Sequence, residues 1–115
     1  MYALGAVVLA AGASERFGVH NKLLVDIDGE PLIRHVVRVI IDSGIAEVVV
    51  VTGYDVARIA AALQGLALRR AHNKAWRSGM GTSVATGIAA LRADIEGADG
   101  PRRAVVQISS AIEVF

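Results

Sequence analysis

The stretch LAAGASERFGVHNKLL, Leu9 to Leu24, gathers the residue types needed to hold an anion. Gly12 follows an apolar run, where a residue without Cβ permits a tight turn and lets a ligand approach the main chain closely. Successive amides in such a turn form an anion-binding concavity. Ser14 adds a hydroxyl, while Arg16 and Lys22 add a planar cationic fork and a compact point charge. Charge-assisted contacts of this kind contribute about 1.5–3 kcal/mol each, so a few of them hold a polyphosphate tail without help from the net charge. The chemistry these residues predict is phosphate binding. They suit an ordinary strand-to-helix turn with solvated charges equally well, and the loop by itself does not choose. Two better-known phosphate loops fit poorly. A GxxxxGK[ST] loop needs closer glycines than Gly12 and Gly18, and here Val19 follows the second; a GxGxxG fingerprint is replaced by Ala-Gly-Ala-Ser-Glu-Arg.

The elements that must position this loop are legible from periodicity. Ala3 to Leu9 is a Val/Leu-rich run consistent with a strand buried on both faces. Pro31 stands at a helix start, Leu32, Ile33, Val36, Val37 and Ile40 recur at helical spacing, and Asp42-Ser43-Gly44 closes the helix. Glu47 to Thr52, with four consecutive valines, is the strongest strand signal. Asp55 is expected to cap a helix from Val56 to Leu63 that Gly65 ends, and Leu66 to Ala71 is a weaker strand. Thr82 or Ser83 is expected to cap a third helix carrying Val84, Ile88 and Leu91, and after a polar turn Ala104 to Ile108 is a last strand. The order β-α-β-α-β-α-β predicts an α/β fold, a Rossmann-like parallel sheet with helices on both faces and right-handed crossovers. Ligands of such sheets sit beyond the carboxyl ends of the strands, where the loops after Leu9, Thr52 and Ala71 emerge.

The totals narrow the function. The 115 residues are 54% hydrophobic and show no interdomain linker, so residues 1–115 read as a single domain. A chain of this length buries roughly two thirds of its unfolded surface. It has no cysteine, which excludes disulfides and thiolate metal sites and fits a cytoplasmic home. Twelve Lys and Arg against eleven Asp and Glu leave a net charge of +1, too little for the basic field of a nucleic-acid or membrane binder. The mean hydropathy of +0.51 is high. Yet no apolar stretch approaches the ~20 residues of a membrane span, and the first residues lack the basic leader of a signal peptide.

LAAGASERFG followed by NKLL, then GEPLIRHVV and EVVVVTG, resembles the MobA-like nucleotidyltransferase family, whose loop reads LAAGxSxRxG with a lysine shortly after it. A second segment, Asn73-Lys-Ala-Trp76-Arg-Ser-Gly79-Met80-Gly81-Thr82-Ser83 with Gly87 beyond, resembles the NxxWxxGMxxS pattern of the branch that attaches CMP to molybdopterin, the molybdenum cofactor cytidylyltransferases. The resemblance covers about residues 4 to 106 and implies the nucleotide-diphospho-sugar transferase type of fold. It implies that Leu9, Ala10, Ala11 and Gly12 present backbone to the nucleotide, with Ser14 beside them. Arg16 and Lys22 would contact the phosphates and neutralise charge as pyrophosphate leaves. Thr52, Gly53, Asn73, Gly79, Met80, Thr82 and Ser83 would lie around base and ribose. CTP as donor, a molybdopterin-type acceptor and Mg2+ as cofactor follow from the same resemblance.

One departure stands beside it. The family's fourth strand runs into an acidic DxP metal site near Ser109, Ser110 and Ala111, whereas this chain reads AVVQISSAIEVF and supplies no aspartate there. No metal ligand is therefore assigned. The reading is a truncated or frame-shifted family member, changed near Gln107, with its activity in doubt. Two other functions remain open: a non-catalytic nucleotide-binding module, and a sugar-phosphate nucleotidyltransferase, which shares a similar first loop. Ile108, Ile112, Val114 and Phe115 would leave the last strand exposed and open to self-association. His20 and His35 read as solvated, His72 as a site neighbour at most, Trp76 as packing before base stacking, and Asp26 and Asp28 as turn acids.

Overall fold

The computed structural model describes residues 3–12, 21–45, 47–95 and 102–106. Strand β1 (Ala3–Ala10) leads through a 3-10 turn, Lys22–Leu24, into a short hairpin of β2 (Asp26–Ile27) and β3 (Glu30–Pro31). Helix α1 (Leu32–Asp42), β4 (Glu47–Thr52), α2 (Val56–Ala62), β5 (Arg69–His72), α3 (Met80–Ile95) and β6 (Arg102–Val106) follow. The main sheet has the order β5-β4-β1-β6 and every pair in it is parallel. The chain thus steps outward from β1 to β4 and β5, then crosses back to pair β6 on the other side of β1. That reversal is the topological switch point of a doubly wound fold.

Alternation along the strands separates two cores. Val8, Val48 and Val50 face Ile33 and Val37 of α1, Ile59 of α2 and Leu63 just beyond it. Val7, Leu9, Val49 and Val51 face the opposite layer, where Leu91, Val84 and Ile88 of α3 pack. Helices therefore cover both faces of the sheet. The valines suit this double burial because a β-branched side chain fills a pleated surface with little rotamer freedom left to lose. Gly87 of α3 sits over Val7 and Val51 at a distance no Cβ would tolerate, so the helix lies close on the sheet.

Local chemistry sets the element ends. Leu32 N donates to Val25 O at 2.9 Å, joining the hairpin to the start of α1. Arg34, on the outer side of α1, donates to the carbonyls of Ala62 (3.0 Å) and Gln64 (2.7 Å) and so caps the end of α2. Asp28 and Gly29 both have positive φ (51° and 88°) and form the hairpin turn. Glu30 next to it pairs with Arg38 and, at 3.0 Å, with His35, pinning the hairpin to α1.

Three differences from the sequence expectations have physical causes. The third helix begins at Met80, before either residue expected to cap it, because the positive φ of Gly79 (117°) turns the chain into the helix there. Asp55 does stand at the cap position of α2, but its side chain makes no cap bond. Strand β5 starts at Arg69 rather than Leu66, because Leu66 and Leu68 turn into the α1/α2 core. Residues 107–115, including Ile108, Ile112, Val114 and Phe115, lie outside the described residues. Among the described residues no helix is long and apolar enough to cross a membrane.

Candidate functional site

Ala10, Thr52 and His72 occupy one row across β1, β4 and β5, so three strands end at the same level. Hydrogen bonds continue past that row. Tyr54 N donates to Ala11 O at 2.9 Å, and Asn73 N donates to Thr52 O at 2.7 Å. Thr52, 1% exposed, has its hydroxyl 3.1 Å from His72 Nδ1. The loops leaving the three strands are therefore fastened to one another as they emerge.

Gly53 is the tightest point. A Cβ built there would stand 2.7 Å from Trp76 Cβ and 2.9 Å from Ala11 Cβ, distances real Cβ atoms do not reach. Only glycine lets the loops after β1, β4 and β5 close on each other here. Trp76 then meets Tyr54 edge-on at 5.5 Å and carries the Arg77 guanidinium at 4.8 Å from its ring centre. The tryptophan packs against the core on the α3 side of the sheet and also holds a cation at the rim.

Asn73 organises the segment from Ala75 to Ser83. Its Oδ1 accepts from Ala75 N at 2.9 Å, and its Nδ2 donates to Thr82 Oγ1 and Ser83 Oγ, both at 2.9 Å. Thr82 Oγ1 lies 2.7 Å from Gly79 O and 3.1 Å from Ala75 O. Its single proton goes to one carbonyl at a time. Thr82 and Ser83 are thus receivers of the Asn73 amide inside the first turn of α3, not caps of that helix. Met80, the first residue of α3, is 55% exposed, while Ser83 is 4% exposed. The structure brings Ala11, Thr52, Gly53, Asn73, Thr82 and Ser83 into one continuous bonded edge, with Gly79 and Met80 at its outer side.

The turn that carries Lys22 is tied to the β4–α2 loop by a different route. Asn21, 2% exposed, accepts from Leu23 N at 3.0 Å and so caps the turn that carries Lys22. Leu23, 1% exposed, plugs that turn into the core beside Ile59 and Leu63. From the same Asn21, Nδ2 donates to Asp55 Oδ2 at 3.4 Å, two residues beyond Gly53. Asp55 has a left-handed backbone (φ 59°, ψ 34°), which costs a residue with a Cβ roughly 1–2 kcal/mol. It also forgoes the bond of an aspartate N-cap, which usually contributes about 0.5–2 kcal/mol. Its carboxylate instead accepts from Asn21 and from Arg58 (3.2 Å). Gly12 ends the described part of the first loop; Ser14 and Arg16 lie outside the described residues. Sequence reasoning missed the Asn21–Asp55 contact; the one local signal for it was an amide residue directly before the lysine in NKLL.

Among the described residues no group of three or more His, Cys, Asp or Glu side chains could hold a metal ion. These residues do not make up a Mg2+ site, which needs carboxylate or phosphate oxygens in near-octahedral array. The segment around Ser109 to Ala111 lies outside the described residues.

Residues 6–99 match the family model of the MobA-like NTP transferase domain. Nicotine blue oxidoreductase of Paenarthrobacter nicotinovorans is 36% identical over 84 residues, which is 73% of this chain and 41% of that protein. The bifunctional protein GlmU of Rhizobium etli is 36% identical over 97 residues, 82% of this chain and 20% of its own length. Its counterpart in Agrobacterium fabrum is 39% identical over 82 residues, 69% of this chain and 18% of that protein. A nucleotidyl transferase from Methanothermobacter superposes with a TM-score of 0.72 at 25% identity, covering 95% of this chain and 54% of that one. The chain therefore spans less than half the length of each of these curated relatives. With the two-core parallel sheet and the fastened strand ends already in view, a match over most of its length settles the assignment: this chain belongs to the family of the MobA-like NTP transferase domain.

Proposed function

We propose that this chain is the nucleotide-binding part of a nucleotidyltransferase, moving a nucleotidyl group from a nucleoside triphosphate to a phosphorylated acceptor. The single observation that carries the reading is the convergence at one sheet edge. The loops after β1, β4 and β5 are bonded together there, and the turn bearing Lys22 is tied to the same edge through Asn21 and Asp55. In this reaction an acceptor oxygen bonds to the α-phosphorus, the bond from that phosphorus to the bridging oxygen breaks, and pyrophosphate leaves with the electron pair. Lys22 and Arg16 neutralise the charge gathering on the β- and γ-phosphates, which is catalysis by positioning and electrostatics. The backbone from Leu9 to Gly12, with Ser14, turns its amides to the phosphates. Thr52, Gly53, Asn73, Gly79, Met80, Thr82 and Ser83 form the side that receives base and ribose.

Within that reading we assign CTP as the donor and a molybdopterin-type compound as the acceptor, on the strength of the segment from Asn73 to Ser83. A sugar phosphate acceptor is the second reading, carried by the first loop, which that type of transferase shares. One relative bears the name of an oxidoreductase. Membership of the family and nucleotidyl transfer are therefore separate statements. Calorimetric titration of the chain with CTP, GTP, ATP and UTP in magnesium buffer tests the reading. Heat from CTP above the others supports it; no heat from any of the four overturns it. Pyrophosphate release on adding a pterin phosphate or a sugar phosphate then identifies the acceptor, and binding without release with either assigns a non-catalytic module.

A further inference from the structure

The contact between Asn21 and Asp55 has no counterpart among the roles assigned so far. We infer that these two side chains are positioning residues that hold the lysine-bearing turn against the β4–α2 loop, and so set where the Lys22 charge stands relative to the strand ends. The inference rests on the reading of Lys22 as a phosphate contact.

Four observations carry it. Asn21 is 2% exposed and uses both ends of its amide, one on Leu23 N of the turn and one on Asp55. The contact spans 34 residues of sequence, so it is a tertiary tie rather than a local turn motif. Asp55 is one of two described residues with a side chain and a positive φ, the other being Asp28. Asp28 is accounted for by the hairpin turn it forms with Gly29, whereas Asp55 stands where an ordinary extended N-cap would serve the helix better. Strained backbone of this kind persists where surrounding contacts over-determine it and collects at functional sites. Finally, Tyr54, immediately before Asp55, donates its backbone N–H to Ala11 of the first loop. The Tyr54–Asp55 segment is therefore attached on one side to Ala11, just after β1, and on the other to the Lys22–Leu24 turn. Its second partner, Arg58, has a side chain 60% exposed and is a solvent-side contact, which leaves Asn21 as the inward one.

The test exchanges the partners. Asn21→Asp keeps an acceptor for Leu23 N but sets carboxylate against carboxylate. Adding Asp55→Asn restores a donor–acceptor pair in the reverse sense, so N21D/D55N recovers what N21D loses. In calorimetry with CTP, N21D is expected to bind about tenfold more weakly than the unmodified chain, and the double exchange to return to within about threefold. In a Lys22→Ala background N21D is expected to cause no further loss, because the tie acts through that lysine. Hydrogen exchange at the Leu23 amide, measured without nucleotide, should speed up in N21D and recover in the exchange variant. A double exchange as weak as N21D overturns the inference. So does a tenfold loss that persists without Lys22, which would mark the pair as structural only, and so does unchanged exchange at Leu23. An unmodified chain that binds no triphosphate overturns the nucleotide reading itself, and the lysine's assigned task falls with it; the Leu23 exchange then tells whether the physical tie exists.

Discussion

The Asn73 side-chain amide donates to Thr82 Oγ1 and to Ser83 Oγ at 2.9 Å each, so one residue at the end of β5 holds the first turn of α3. This is the relationship that makes the second motif one unit. The asparagine is 5% exposed and fastens the first turn of α3 to the end of β5.

Removing that amide is expected to loosen the whole segment. Asn73→Ala leaves the Ala75 N–H and the buried Ser83 hydroxyl without their partner. An unsatisfied buried polar group costs about 1–3 kcal/mol. Urea unfolding should therefore show a loss of about 2–3 kcal/mol, with an unchanged m-value. A loss within about 0.5 kcal/mol, the range of an ordinary surface change, would contradict the clamp.

Gly87 sets helix propensity against packing. Alanine favours a helix interior over glycine by about 1 kcal/mol, which taken alone predicts stabilisation. Here the added methyl meets Val7 and Val51 on the sheet below. Overpacking of this kind costs about 1–3 kcal/mol, so Gly87→Ala is expected to lower the thermal midpoint. A raised midpoint would show that α3 can lift off the sheet at little cost.

Gly53→Ala presents a related clash at the site itself, between Trp76 Cβ and Ala11 Cβ. Trp76 Cγ also stands 2.8 Å from that methyl, but the two Cβ atoms are first side-chain atoms and neither can swing aside. Trp76→Ala keeps its Cβ and should therefore fail to rescue Gly53→Ala in thermal unfolding. Recovery of the midpoint in the double variant would relocate the conflict to the indole ring.

The cluster at the hairpin predicts a pH dependence. Hydrogen bonds from Arg38 and then His35 hold the Glu30 carboxyl below its usual range. A carboxyl whose folded-state pKa is depressed binds protons more readily when unfolded. Its contribution is therefore present above the ordinary value of about 4.5 and lost as pH falls through the lower folded value. Glu30→Gln should flatten the acid limb of a thermal-midpoint profile. An acid limb identical in both proteins would count against the cluster.

Much of the scaffold was legible because its signals are local and periodic. Four consecutive valines ending in Thr52, the apolar repeat of α1 and the alternation of loops at one sheet edge follow from side-chain spacing alone. The hairpin at Asp26 to Pro31 was missed although Asp28-Gly29 is a strong turn pair, because two-residue strands carry no alternation to read. Arg34 falls off the apolar repeat of α1, and only the packing of α1 beside α2 reveals it as the cap of the second helix. The bond between Asn21 and Asp55 was not legible for the same reason: it joins residues brought together by the sheet. Both motifs of the candidate site could be named in advance. The way Asn73, Gly53 and Asp55 fasten them could not.

The central claim is that this sheet edge holds a nucleotide by its phosphate tail, with Lys22 supplying part of the hold. It is tested most directly by titrating the unmodified chain and Lys22→Ala with a triphosphate and with the monophosphate of the same base, CTP against CMP first. The account predicts that the unmodified chain prefers CTP by at least about tenfold, that Lys22→Ala weakens CTP by about 10- to 150-fold, and that CMP binding hardly changes. Equal losses for CTP and CMP, or no loss for either, would contradict it.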